Sequence, residues 1–409
     1  MSSSAEVGPE GKSKVGGRGD GAKKQPYQDD PETVAAKRAE RARKKAEKAA
    51  AAKAGAPGGG QQAVPPQQDP AAAAAKEEER KRQEVAALDA LQHFGVRGDE
   101  AAKPVDLVDI GANLTKFKPA QVSAQLHRAA VTGVSRVVLT GTSVKESWAA
   151  HKLCERWWSD RQGPEGTKPS ARIFSTAGVH PHDASSCVDG GDGVVSTEEE
   201  LRRIYSSPWC VAIGETGLDY DRMFTPREVQ LEWFRRQAAL AVELQAPLFV
   251  HERDVDPDKG EPLGSHEDLC RIMDEVGIQP SRVCVHCFTG SEEQLKDYVR
   301  KGYNIGLTGF VGMRKRGAHV REALQNGSLP LERIMVETDS PFMQPDKVYI
   351  PKELGISYGK NEPCVVPAVV RAVAECMEVP EQQIAHATTQ NALRFFNFEE
   401  SEKASLGND

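Results

Sequence analysis

Val211-Ala212-Ile213-Gly214-Glu215 is a short apolar run that stops on a carboxylate. Pro247-Leu248-Phe249-Val250-His251 and Arg282-Val283-Cys284-Val285-His286 stop on imidazoles, and Ile334-Met335-Val336-Glu337-Thr338-Asp339 stops on another acid. Unbroken apolar runs of this length read as strands buried on both faces, as in a parallel sheet. Further runs at Leu107–Ile110, Arg136–Thr140, Ile173–Val179 and Tyr303–Leu307 complete a set of eight. Between them lie helix starts written as capping boxes, Ser143 to Glu146, Thr197 to Glu200, Thr225 to Glu228 and Ser291 to Gln294, in which Ser or Thr is followed three residues on by Glu or Gln. Eight strands alternating with helices predict an α/β fold, a (β/α)8 barrel of TIM type, with C-terminal helices at Val365–Met377 and Glu381–Phe396 outside it. A doubly wound open sheet is the alternative. No Gly-x-Gly-x-x-Gly turn follows the first strand, and candidate ligands spread over several strands suit a ring better.

The rest of the chain divides by composition. Residues 1–104 are rich in Ala, Lys, Arg, Glu, Gln, Gly and Pro, with almost no aromatic or β-branched side chains. Such a segment buries too little to offset chain ordering and is expected to be mostly disordered or partly helical. Ala71 to Leu91 reads as a polar helix, with Leu88, Leu91 and Phe94 as its docking residues. Residues 105–398 form one barrel-sized domain, since such barrels run to about 250 residues, and residues 399–409 read as a disordered tail. The eight cysteines are scattered, and no apolar run has secretory or membrane-spanning character. A soluble, reducing, cytoplasmic setting is expected. The basic run Lys37 to Lys45 raises a nuclear alternative against a plain solvated tail. A net charge of −7 excludes wholesale coating of nucleic acid but leaves room for a local basic patch.

The strand ends carry the chemistry. Glu215 and Asp339, each read alone, are as consistent with structural ion pairs as with ligands. His251 and His286 shift the balance, because two imidazoles and two carboxylates at the ends of separate strands can converge on one divalent cation. Such an ion acidifies water and polarises phosphoryl oxygens, which brings phosphoester hydrolysis within reach. His180, in Gly178-Val179-His180-Pro181-His182, is read as a substrate or proton-transfer residue, and His182 as structural and turned away. Arg314 and Arg316 follow the seventh strand, where they would hold phosphates or simply be solvated; Phe310 beside them would stack on a base. Cys284 and Cys287 form half a zinc motif with no second pair, so a structural zinc site is not expected.

Taken together, Gly178-Val179-His180-Pro181-His182, Ile213-Gly214-Glu215-Thr216-Gly217-Leu218-Asp219, His286-Cys287-Phe288-Thr289-Gly290, Glu337-Thr338-Asp339-Ser340-Pro341 and Asn361-Glu362-Pro363 resemble the signatures of the TatD deoxyribonucleases, of the metallo-dependent hydrolase superfamily. The resemblance covers nearly all of residues 105–398. It implies a metal-dependent 3′ to 5′ exonuclease on single-stranded DNA, or RNA, supported by Mg²⁺, with Mn²⁺ or Zn²⁺ as alternatives, and a monomer is expected. By the same resemblance Glu215, His251, His286 and Asp339 hold the metal, and His180 is the catalytic or substrate histidine. Glu215 and Asp339 are further expected to act in catalysis, and Asn113, Arg314 and Arg316 to meet the substrate beside His180. Many relatives carry His-x-His after the first strand, where this chain has Gly111 and Asn113, as in the TatD-proper branch; the number of metals stays open. The rival readings are an ester or amide hydrolase, such as a D-aminoacyl-tRNA deacylase, and a non-catalytic interaction platform.

Overall fold

Eight strands form wherever the sequence runs apolar: β1 (Leu107–Ala112), β2 (Val134–Leu139), β3 (Arg172–Ala177), β4 (Cys210–Asp219), β5 (Leu248–Arg253), β6 (Val283–Val285), β7 (Asn304–Leu307) and β8 (Ile334–Val336). They come from a computed structural model that describes residues 70–97, 104–160, 170–191, 194–255 and 260–406. Neighbours in the order β1 to β8 pair in parallel throughout. Helices α2 (Pro119–Val131), α3 (Val144–Asp160), α4 (Thr197–Tyr205), α5 (Arg227–Glu243), α6 (Ser265–Val276), α7 (Glu292–Lys301) and α8 (Ala318–Gln325) fall between the strands, and α9 (Val366–Met377) and α10 (Glu381–Phe396) follow them. Their apolar faces cover strands that are buried almost residue for residue. The expected (β/α)8 barrel is the observed fold.

Closure between β1 and β8 is made by side chains and loop backbone. Asp339 N donates to Gly111 O and Asn113 N to Ser340 O, each at 2.8 Å, just beyond the end of β8. Below that seam Asp109, fully buried, accepts from Thr338 N at 2.8 Å and Thr338 Oγ1 at 2.6 Å. Burial dominates these bonds and pushes the Asp109 carboxyl up to about 8, so it is held largely in its protonated form.

Several expectations shift in detail. Ser291 and Gln294 close a full capping box on α7, but α4 is capped by Ser196, one residue before the expected Thr197. Thr225 caps nothing and instead donates to His182 O at 3.0 Å. In the N-terminal segment, α1 (Pro70–Phe94) docks through Leu91 and Phe94, while Leu88 stays exposed. Packing therefore starts before the expected 104/105 boundary, each buried side chain contributing roughly 1.5–3 kcal/mol. Arg371 fixes the helix end, donating to Phe94 O with its guanidinium 4.6 Å from the ring. The run 37–45 lies outside the described residues. At the other end the disordered tail is corrected: α11 (Phe398–Leu406) is anchored by buried Phe398 and by Glu402, which pairs with Arg136 at 2.8 Å and Arg172 at 2.7 Å. Its few apolar residues hid a helix that ion pairs hold in place. No described helix is long and apolar enough to cross a membrane.

Candidate metal centre

The site grows from β4, the longest strand. Pairing with β5 skips Glu215, since Gly214 faces Phe249 and Thr216 faces Val250. Such a bulge re-aims a side chain at the rim of a barrel. Beyond it Gly217 pairs with His251 and Asp219 with Arg253, and strand alternation places Glu215, Asp219, His251 and Arg253 on one face. His286 stands one residue past β6, and Asp339 three past β8, in the loop that closes the ring.

Three imidazoles converge on one carboxylate oxygen. Glu215 Oε1 lies 2.9 Å from His286 Nε2, 3.0 Å from His251 Nδ1 and 3.3 Å from His180 Nε2. Burial alone would raise the Glu215 carboxyl, but the imidazoles outweigh it and hold it well below the usual range. For His286 the balance is similar: burial opposes the charged form, yet Glu337 and Glu215 push its pKa well above the ordinary value. His180 is the exception, driven down to about 4 chiefly by burial.

The second nitrogen of each ring decides what the first can do. His286 Nδ1 faces Glu337 Oε2 at 3.3 Å, and His251 Nε2 faces Asp219 Oδ2 at 3.5 Å. A carboxylate behind each ring can keep a proton on that side when a cation takes the place of the proton facing Glu215, the arrangement that supports histidine ligands to metals. His180 is wired the other way. Its Nδ1 accepts from His182 N at 3.0 Å, so the neutral ring carries its proton on Nε2 and donates from there. Although the ligand atoms of His180, Glu215 and His251 all lie within 4.8 Å of one another, this wiring suits His180 to donation, and Glu215, His251 and His286 to a cation. The donor set fits a divalent ion of the Mg²⁺, Mn²⁺ or Zn²⁺ type.

Asp339 lines the same cleft, of about 520 Å³. Asn113 Nδ2 donates to its Oδ1 at 2.9 Å, and burial raises it to about 7. Glu337 fills the room a first-strand side chain would need: a Cβ on Gly111 would stand 2.2 Å from Glu337 Oε2. Any residue larger than glycine there displaces the carboxylate that orients His286.

The remaining expectations divide. Arg316 lines the cleft, but Arg314 points away, with its side chain on Glu375 at 3.2 Å and its guanidinium 5.6 Å from the Tyr349 ring. Phe310 is buried, flanked by His319 and Arg316, and offers no open face for a base. His182 is not turned away. It lines the cleft and donates from Nε2 to Asp219 Oδ2 at 2.6 Å, because the short helical turn at Pro181–Ser186 brings it back over β4. Sequence reasoning passed over Asp219, Arg253 and Arg222; the alternation Glu215, Gly217, Asp219 was the signal for the first. Cys284 and Cys287 are buried thiols whose pKa burial raises well above the ordinary value.

Comparison with known proteins points one way. Residues 108–397 match the model of the TatD related DNase family. The chain is 34% identical over 291 residues to the "3'-5' ssDNA/RNA exonuclease TatD" of Pectobacterium atrosepticum, covering 71% of this chain and 99% of that protein. It is 33% identical over 291 residues to the protein of the same name in Salmonella typhimurium, covering 71% and 98%. A solved TatD family hydrolase from Entamoeba histolytica shares the fold with a TM-score of 0.58 at 23% identity, over 71% of this chain and 98% of that one. A TatD homologue from Escherichia coli does so with a TM-score of 0.55 at 24% identity, over 71% and 98%. This chain belongs to the TatD-related DNase family.

Proposed function

We propose that the protein is a metal-dependent 3′ to 5′ exonuclease that hydrolyses terminal phosphodiester bonds of single-stranded DNA, and of RNA, with Mg²⁺ as its working ion. One observation carries this reading: His251 and His286, each with a second carboxylate behind its ring, turn their other nitrogens on Glu215 at the foot of a cleft flanked by arginines. The names of the relatives supply the substrate class and the polarity. A cytosolic monomer completes the proposal.

Glu215, His251 and His286 would hold the cation, with Asp339 as a further candidate ligand. When bound, a divalent ion supplies electrophilic assistance at a phosphoryl oxygen and acidifies water. The protein's own groups do the rest. His180 donates from Nε2 to a phosphate oxygen, its ring fixed by the His182 backbone. Asn113 holds Asp339 Oδ1, and Oδ2, 3.8 Å from the Cys287 thiol, would receive a proton from attacking water. Arg316 lines the cleft where it can meet the flanking phosphate, and Arg222 and Arg253 join it there.

The test is digestion of end-labelled single-stranded oligonucleotides with Mg²⁺, with Mn²⁺, with Zn²⁺ and with chelator. Stepwise loss of nucleotides from the 3′ end, abolished by chelator and restored by metal, is the expected result. A protein that leaves such oligonucleotides intact with each metal sinks the proposal.

A further inference from the structure

We propose that Phe342, Tyr358 and Phe224 form a base-stacking track that grips a single-stranded nucleic acid beyond the bond being cut. The inference rests on the nuclease reading and extends it from the reacting phosphate to the rest of the strand.

The barrel buries nearly all its aromatic rings. Among the described residues, the large aromatics left exposed are Phe224 at 58%, Phe342 at 51% and Tyr358 at 80%. All of them flank one cleft. Phe342 and Tyr358 line it directly, and Phe224 sits edge-on against His182, 4.7 Å between centroids, which lines it too. Single exposed apolar residues need no explanation, but exposed aromatics gathered around one candidate site do.

The platform is built. Buried Asn361 donates to Thr338 O at 2.9 Å and Phe342 O at 2.8 Å. Phe342 N donates to Asp339 O at 2.9 Å, tying the ring to the candidate ligand three residues before it. Gln344 bridges the loop, donating to Ser357 O at 3.2 Å and accepting from Gly359 N at 2.6 Å, which brings Tyr358 beside Phe342 in the cleft wall.

Charge completes the match. Lys116 Nζ stands 4.5 Å from the Phe342 ring centroid and Lys347 Nζ 5.8 Å from that of Tyr358. Among the described residues neither lysine has a salt-bridge partner, and neither do Arg222 and Arg316 of the same cleft, whereas Arg314, just beside it in sequence, is paired with Glu375. A chain of net charge −7 thus collects unpaired cations beside exposed rings. Cations track a phosphate backbone while rings stack on bases, and stacking needs bases free of a duplex. The occupant is therefore a single strand.

The experiment measures anisotropy of a fluorescent oligothymidylate of about twelve nucleotides on the full chain in chelator, with digestion in Mg²⁺ run in parallel. Phe342→Ala and Tyr358→Ala should each weaken binding about tenfold, and Phe224→Ala by less. Phe342→Trp and Tyr358→Trp should keep the wild-type affinity, as should Val85→Ala, an exposed apolar change that does not line the cleft. A blunt duplex should bind more weakly than the single strand. Alanine variants that bind like the wild type, or a wild type that prefers duplex or binds neither, overturn the track. If digestion proceeds normally while the alanine variants bind unchanged, the track falls and the nuclease reading stands. If the oligomer binds through these rings but is not cut, the track stands and the nuclease reading falls.

Discussion

Asp109 and Glu215 are both buried carboxylates of the barrel, exposed 0% and 5%, yet their pKa values are shifted in opposite directions. Asp109 meets the neutral donors of Thr338 across the β1–β8 seam and is pushed up to about 8, chiefly by burial. Glu215 meets three imidazoles and is held below the usual carboxylate range in spite of burial. A buried acid among neutral donors serves as a hydrogen-bonding strut, whereas one ringed by histidines is an anion poised for a cation. Depth of burial does not distinguish them; the partners do.

That contrast can be broken experimentally. Glu215→Ala should lower nuclease turnover on the order of a thousandfold, since metal assistance is worth several kcal/mol, and should abolish tight metal binding in calorimetry. Turnover near the wild-type level would remove Glu215 from the chemistry. Asp109→Ala should act on stability instead. It orphans the Thr338 amide and hydroxyl, at about 1–3 kcal/mol each, read as a lower urea midpoint, while turnover per folded molecule persists. An unchanged midpoint would show the seam to be held by other contacts.

The pH dependence sharpens the same point. A carboxyl raised from 3.8 to about 8 binds its proton more tightly in the folded chain than in the unfolded one. Its stabilisation is complete below the unfolded value and is lost as pH rises through the folded one. Urea titrations between those limits should show stability falling with pH, by at most about 1.4 kcal/mol per unit from this group. Asp109→Asn should flatten that slope, and an undiminished slope would assign it elsewhere. The smallest effect separates the two arginines: Arg316→Ala should raise KM several-fold, whereas Arg314→Ala, whose side chain leaves the cleft for Glu375, should leave it within about twofold. Equal effects would refute that division.

Much of this was legible in the chain itself. Each apolar run of four to eight residues became a strand, because an unbroken apolar run and the capping signals beside it need only near neighbours. Glu215, His251, His286 and Asp339 could be picked out for the same reason, as polar residues ending apolar runs. The outward turn of Arg314, the inward turn of His182 and the docking of α1 through Leu91 and Phe94 were not legible, since each depends on a partner distant in sequence.

The sequence by itself therefore determined the parallel strands, their order and the identity of the metal-capable side chains, all consequences of unbroken apolar runs that stop on a polar residue. Only the tertiary structure decided which nitrogen of each histidine faces Glu215, which acid lies among neutral donors and which among imidazoles, and where the exposed rings gather. Those outcomes follow from ring closure, which brings β1 to β8 and β4 to β6 and so sets electrostatic partners that no local pattern encodes.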